Sequence, residues 1–387
     1  MKLRGLLMGL LLAAGCATVQ EKQTSVAPNP NGRVITRTAS ATAGVGVDAY
    51  AIGRVAAERL KARLDGVEPQ VVILTECFAD KADKAKVAKG VASVFGKECV
   101  VGISSYGFYT RDGVADRDAV ALLALGGDGL GVRMAFVPKQ NSVGLTMEND
   151  EAKLKAALGE AGRKLAEQLP VYDQSRLMIV LADTHSPKNQ LLLDGIQSVV
   201  GTKFPVTGGS ANKNAGQNWI HWKGGLYSDA ALALMIDGNT AIVQNGAQAK
   251  DNDAVLATAK TVAQKLTGAP FATWSDGGPR GLVLAFDCAG RKGKLDDIEE
   301  EQKAIIAGLN ERTDSGGARI PARLGGAEIF GMWCAGEIGC PEDSLEQPVG
   351  RGWHIMATAL GANLMPPLSF PQPPPPGLRR AAPSPSE

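Results

Sequence analysis

The chain has 387 residues, with 41 Lys and Arg against 40 Asp and Glu and a net charge of +1. That balance leaves no basic excess for a phosphate backbone and argues against nucleic-acid binding, while 44% apolar and 21% charged residues exclude a disordered chain. The length predicts two domains or one large one, able to fold without a metal or disulfide staple.

The first fifteen residues read as an address. Lys2 and Arg4 precede an apolar run over 6–14 that is too short to span a bilayer as a helix. The run ends in Leu12-Ala13-Ala14-Gly15-Cys16, which resembles the lipobox of bacterial lipoproteins. The resemblance implies a signal peptide over 1–15 and lipidation of Cys16; a plain secretory signal with an incidental cysteine is the other reading. Ala17 follows in place of the Asp often found in lipoproteins held at the inner membrane. The expected location is therefore the cell envelope, lipid-anchored, on the outer membrane facing the periplasm. Residues 16–35, with Pro28, Pro30 and several Asn and Ser, read as a flexible tether.

A helix is predicted over 48–64. The run Val71-Val72-Ile73-Leu74-Thr75 predicts a strand buried on both faces. A helix follows over 79–95, with Val87, Val91 and Val94 on one side, then strands over 99–103 and 119–125. The pattern recurs 105 residues later as a strand over 177–181, a helix over 187–200 and a strand over 204–207. Gly90, Ser93, Val94, Gly96, Val101 and Ser105 match Gly195, Ser198, Val199, Gly201, Val206 and Ser210 at that offset. Asp118-Ala119 matches Asp229-Ala230 after a short insertion that holds Trp219, His221 and Trp222. A third, weaker copy follows a helix over 254–266. It has strands over 282–286, 328–333 and 355–360 and a helix over 295–309. Repeated β-α-β units predict an α/β fold with mostly parallel sheets. The final segment, 365–387, holds nine of the chain's 21 prolines; fixed φ and missing donors predict a disordered or polyproline tail.

GxSxG, HExxH, CxxC and P-loop motifs are absent, and three histidines do not suggest a zinc site. Gly44-Val45-Gly46 before a helix has the outline of a dinucleotide loop, a motif too short to specify a cofactor alone. No cofactor and no metal are therefore expected. In α/β sheets, ligands bind beyond the carboxyl ends of the strands. Here those ends carry Glu76 and Cys77; Ser104, Ser105 and Tyr106; Asp183, Thr184 and His185; Gly209, Ser210 and Asn212; Asp287, Cys288 and Arg291; Cys334, Gly336 and Glu337. Arg291 is suited to a carboxylate and Glu337 to an ammonium group. The bland alternative is that the two bond each other or cap turns. The candidate ligand-binding set is Ser104, Ser105, Gly209, Ser210, Asn212, Cys288, Arg291 and Glu337.

Cys288-Ala289-Gly290-Arg291, an acidic helix, then Cys334-Ala335-Gly336-Glu337-Ile338-Gly339 resembles the C-terminal part of the FIST sensory domain. Gly44-Val45-Gly46, the strand into Ser104-Ser105, Val206-Thr207-Gly208-Gly209-Ser210 and Tyr227-Ser228-Asp229-Ala230 resemble its N-terminal part. The resemblance covers about residues 36–362. It implies two FIST-like lobes: an N-like α/β domain with two repeats over 36–246 and a C-like α/β domain over 247–364. It also implies a sensory module for a small ligand such as an amino acid.

The expected function is a lipid-anchored, non-catalytic binding protein for a small polar ligand, with no nucleic-acid partner and an unidentified protein partner. Two alternatives stay open. One is a structural or partner-binding envelope lipoprotein using the proline-rich tail. The other is an enzyme with Cys288 or Cys334 as nucleophile and His185 or His354 as base. Beyond Cys16 the cysteines number five, Cys77, Cys99, Cys288, Cys334 and Cys340. An odd count outside the cytoplasm leaves at least one unpaired.

Overall fold

Apolar runs without polar alternation need cover on both faces of the sheet they form. In the computed structural model that cover comes from a shared core on one face and a helix pair on the other. The structure describes residues 28–30, 32–44, 46–211, 218–268, 271–272, 281–313, 319–321 and 324–363. Cys16 and its leader, most of the tether, Val45, Asn212 and the proline-rich tail lie outside them.

The chain builds one unit three times. The first runs β1 (Ile35–Thr42), α1 (Ala49–Ala62), β2 (Pro69–Glu76), α2 (Lys81–Phe95), β3 (Val100–Ser104), β4 (Phe108–Thr110), β5 (Val114–Ala115) and β6 (Ala119–Gly126). The second runs β7 (Leu130–Val137), α3 (Met147–Glu167), β8 (Ser175–Ala182), α4 (Lys188–Val200), β9 (Val206–Ser210), β10 (Ile220–Trp222), β11 (Gly225–Tyr227) and β12 (Ala231–Gly238). The third opens with β13 (Thr240–Gln248), α5 (Asn252–Leu266), β14 (Phe271–Ala272), β15 (Leu282–Cys288), α6 (Ala289–Lys292) and α7 (Glu299–Asn310). It continues through β16 (Glu311–Thr313), β17 (Arg319–Pro321), β18 (Glu328–Cys334), β19 (Glu337–Gly339), β20 (Val349–Arg351) and β21 (His354–Asn363). Aspartates start α1, α2 and α5, where Asp48, Asp80 and Asp251 accept hydrogen bonds from first-turn backbone N–H groups. Thr146 does the same for α3.

In each unit the first strand pairs antiparallel with the last, and the last pairs antiparallel with the second. The second lies parallel to the third. The fold is α/β as expected, but the sheets are mixed rather than mostly parallel. Only the crossover through the second helix joins strands running the same way, so each sheet has one parallel pair.

The small hairpin of each unit leaves its own sheet. β4–β5 of the first unit extends the third sheet at β18, β10–β11 of the second extends the first at β3, and β19–β20 of the third extends the second at β9. The exchange closes a ring of two six-stranded sheets and one seven-stranded sheet. The expected division after residue 246 falls inside β13, which pairs with β21.

All three sheets contribute inward residues to one core, including Ile73, Ile103, Leu181, Phe286 and Met332. On the outer faces α1 and α2 cover the first sheet, α3 and α4 the second, and α5 and α7 the third. The helices of each pair touch at Gly90, Gly195 and Gly308. A Cβ there would lie 2.2, 2.0 and 2.2 Å from a carbonyl of the neighbouring helix. That close approach accounts for the Gly90–Gly195 identity in the repeat.

Candidate functional site

Alternation along the strands sets what each unit places at its carboxyl end. Glu76, Ala182 and Asp287 are equivalent and face the helices; Cys77, Asp183 and Cys288 follow and face inward. The register is shared, with Glu76 beside Ser104, Ala182 beside Ser210 and Asp287 beside Trp333. Each of these third-strand residues ties its backbone N–H to the donated hairpin. Ser104 N donates to Trp219 O at 2.9 Å, Ser210 N to Gly336 O at 2.9 Å and Trp333 N to Gly107 O at 3.0 Å. The ends of the repeated strands therefore meet through the exchanged hairpins.

In the first unit Ser104 and Ser105 are buried. Ser104 Oγ donates to Glu76, whose carboxylate also takes Lys84 Nζ at 3.0 Å, Phe78 N at 2.9 Å and His221 Nε2 at 3.2 Å. Burial pushes the Glu76 carboxyl up, but the His221 and Ser104 hydrogen bonds and the Lys84 charge outweigh it and hold it below its usual value. Ser105 Oγ accepts from Thr75 Oγ1 at 2.8 Å and donates to Gly107 O at 3.0 Å. These groups fasten β10 to β3. The tryptophans of that insertion pack as well: Trp222 stacks on Phe136 at 4.9 Å, and Lys81 Nζ lies 4.1 Å from the Trp219 ring centre.

Gly209, Ser210, Cys288 and Glu337 meet where the second and third units join. Glu337 sits opposite Gly209 in the β9–β19 ladder, and Glu337 Oε2 accepts from His354 N at 3.2 Å. Burial holds the Glu337 carboxyl well above its usual range. Ser210 Oγ donates to Thr184 O. Arg291 and Glu337 do not pair. Arg291 is fully buried and donates to Asp287 Oδ1 at 2.7 Å, Glu301 Oε1 at 2.8 Å, Thr258 Oγ1 at 3.1 Å and Val255 O at 3.1 Å. Burial opposes its charge, and Asp287 and Glu301 overcome that and raise its pKa. At least four of its five N–H groups thus serve the protein itself. Burial pushes the Cys288 thiol up to about 12 and raises Cys334 well above its usual value. No disulfide joins Cys77, Cys99, Cys288, Cys334 or Cys340.

In the second unit polar groups face open space. A cavity of about 240 Å³ opens beyond β8 and β9, lined by Asp183, Thr184, His185, Lys188, Asn218 and Asp229, with Ser142 and Val143 on the far wall. Asp183 accepts from both Asn218 Nδ2 (2.9 and 3.0 Å) and Asp229 N (2.6 Å). Burial raises its carboxyl despite those bonds. Asp229 accepts from Asn141 N, Ser142 N and Ser142 Oγ at 2.7–3.0 Å. Its φ of 52° is matched at Asp118 (46°) and Trp353 (64°), the equivalent turns of the other units. Thr184 is 2% exposed and its Oγ1 has no hydrogen-bond partner. Lys188 Nζ donates to Leu145 O at 2.7 Å. His185 Nδ1 lies 2.9 Å from Ser186 O, a carbonyl that only accepts, so the proton is on Nδ1 and Nε2 is left for the cavity.

Of the expected set, then, Ser104 and Ser105 belong to one junction, and Gly209, Ser210, Cys288 and Glu337 to another. Arg291 lies behind the latter, and Asn212 falls outside the described residues. Asp183, Thr184 and His185 stood among the strand-end residues. Lys188, Ser142 and Asn218 carried no signal, because they reach the cavity from a helix and two loops. Asp229 was visible only as a repeat match.

A FIST N domain is found at residues 70–250, from β2 to just past β13. The FIST family is one of sensory domains, and the strand ends and cavity described above for the first two units lie within the matched segment. No curated protein matches the chain. Among the described residues, no helix is long and apolar enough to cross a membrane.

Proposed function

We propose that the protein is a non-catalytic sensor that binds a small polar, amino-acid-like ligand in the cavity beyond β8 and β9, and that residues 247–364 are the C-terminal FIST part, joined to the rest through shared sheets. The cavity carries the reading: about 240 Å³ with a buried hydroxyl lacking a partner, an ammonium group and two carboxylates on its walls. Such a set of polar groups suits a small polar ligand. The equivalent cavity of the first unit, about 630 Å³, carries Asp48, Asp83, Lys86 and Asp118 but, among the described residues, no buried hydroxyl without a partner. The raised thiols oppose a nucleophilic cysteine, which works as a thiolate with a lowered pKa. The resemblance of residues 12–16 to a lipobox supports a lipid anchor at Cys16, in the cell envelope and on the outer membrane facing the periplasm. It has no nucleic-acid partner, and its signal goes to a protein still to be identified.

Thermal unfolding of the chain in detergent, with amino acids and related metabolites, tests the reading. A ligand at a hundred times its Kd stabilises by about 2.7 kcal/mol. The expected result is a stabilising compound whose effect is lost in Lys188→Ala. A flat screen on well-folded protein overturns it. Intact mass and membrane partition of Cys16→Ser test the anchor, with loss of the lipid mass and of membrane retention expected.

A further inference from the structure

We infer that the cavity beyond β8 and β9 anchors its ligand by a carboxylate, on Lys188 and Thr184 at the start of α4, and needs no ammonium group on the ligand. The inference deepens the proposed function and rests on that cavity being the binding site. Its basis is which polar groups are already satisfied. Asp183 holds three hydrogen bonds from within the protein, two from Asn218 and one from Asp229 N. Asp229 also holds three, from Asn141 N, Ser142 N and Ser142 Oγ. Six bonds fix the two acids as wall braces that position the Asn218 segment, the turn before β12 and the loop before α3. Each carboxylate thus has three of its roughly four acceptor positions taken by the protein itself.

Lys188 and Thr184 are lining groups with donor capacity left. Lys188 spends one of its three N–H groups on Leu145 O. Thr184 Oγ1 spends none, although it is 2% exposed and borders the cavity. A buried hydroxyl without a partner costs free energy that a ligand oxygen would recover. Lys188 is the first residue of the thirteen-residue α4 and Thr184 lies four residues before it; the N-cap Pro187 offers no side-chain cap and the first turn holds no acid. The helix dipole there adds to the pull on negative charge. Ammonium, hydroxyl and helix end border the same cavity, and together they suit a carboxylate.

Calorimetric titration of the full-length chain in detergent with a matched set tests this: alanine, lactate, and ethylamine, which keeps the amine without the acid. Alanine and lactate are expected to bind within about tenfold of each other, and ethylamine not at all. Lys188→Ala should weaken both acids tenfold or more, Lys188→Arg should retain them, and Thr184→Val should weaken them without lowering the melting temperature. Binding of ethylamine, or of alanine but not lactate, overturns the carboxylate anchor while leaving the cavity as the site. Binding of none of the three overturns the inference; binding of a non-carboxylate elsewhere in the screen, lost in Lys188→Ala, would then spare the site, and a flat screen would remove both.

Discussion

Arg291 shows what residue types at strand ends reveal and what they conceal. The Cys-x-x-Arg spacing places a guanidinium where a ligand carboxylate would suit it, yet the carboxylates it meets are Asp287, four residues earlier, and Glu301 from α7. Glu301 also accepts from Trp333 Nε1 at 2.9 Å, so one acid ties helix, strand and cation together. Sequence order put Glu301 inside an acidic run that reads as a solvated helix start, and only packing of α7 on the third sheet buries it. Removing the cation strands two buried acids. Arg291→Met is expected to cost about 3–5 kcal/mol, read as a lower urea midpoint. Glu337 gives a second test through pH. Its carboxyl titrates well above the usual range when folded, because burial disfavours its charge. The folded chain therefore keeps a proton that the unfolded chain releases above about pH 4.3. Unfolding free energy falls as pH rises from there towards the folded pKa. Glu337→Gln should flatten that fall in urea titrations between about pH 5 and 8. A residual slope is expected from Asp287, which burial and Glu301 shift the same way.

The elements themselves were mostly legible. The strands near 71–75, 177–181 and 282–286 and the helices before and between them lie within a few residues of β2, β8, β15 and their partners. The exception is α3, the longest helix, which went unread although α1 and α5 were placed at the equivalent points of their units. Its apolar face is carried by Leu154, Leu158 and Leu165, diluted by small residues and by charges that reach solvent. The exchanged hairpins were also missed. Their strands are two or three residues long, too short for a period, and they pair with strands far away in sequence. What holds them is a residue six positions before the contact glycine of the second helix. Lys84 reaches His221 of β10 through Glu76, Asn189 Nδ2 donates to Glu337 O at 3.0 Å and Arg351 O at 3.1 Å, and Gln302 Nε2 donates to Thr110 O. Removing Asn189 or Gln302 takes a donor from buried hairpin carbonyls, and removing Lys84 takes the cation from the buried Glu76 carboxylate. Asn189→Ala should cost about 1–3 kcal/mol and speed amide exchange over 337–351 more than over 108–115. Gln302→Ala should show the opposite pattern.

Ring closure decides whether the molecule behaves as lobes or as one body. A FIST N match over 70–250 and an expected division after 246 both suggest an N-terminal piece able to stand alone. The sheets argue otherwise. A chain cut at residue 250 loses β19–β20 from β9, exposing an inner edge with Gly208 and Gly209 unpaired. It strands β4–β5, whose partner β18 is gone, and β13, whose partner β21 is gone. It also uncovers core residues that now meet Leu284, Phe286 and Met332. Three open strand edges and an exposed apolar face favour association over folding. The full chain is therefore expected to unfold in one cooperative transition, with near-ultraviolet and far-ultraviolet dichroism changing together. Residues 28–250 expressed alone should aggregate or lack a melting transition, and adding 251–363 as a separate chain should restore one. A monomeric 28–250 fragment melting cooperatively near the temperature of the full chain would show that the hairpin exchange decorates two independent lobes instead of joining three units.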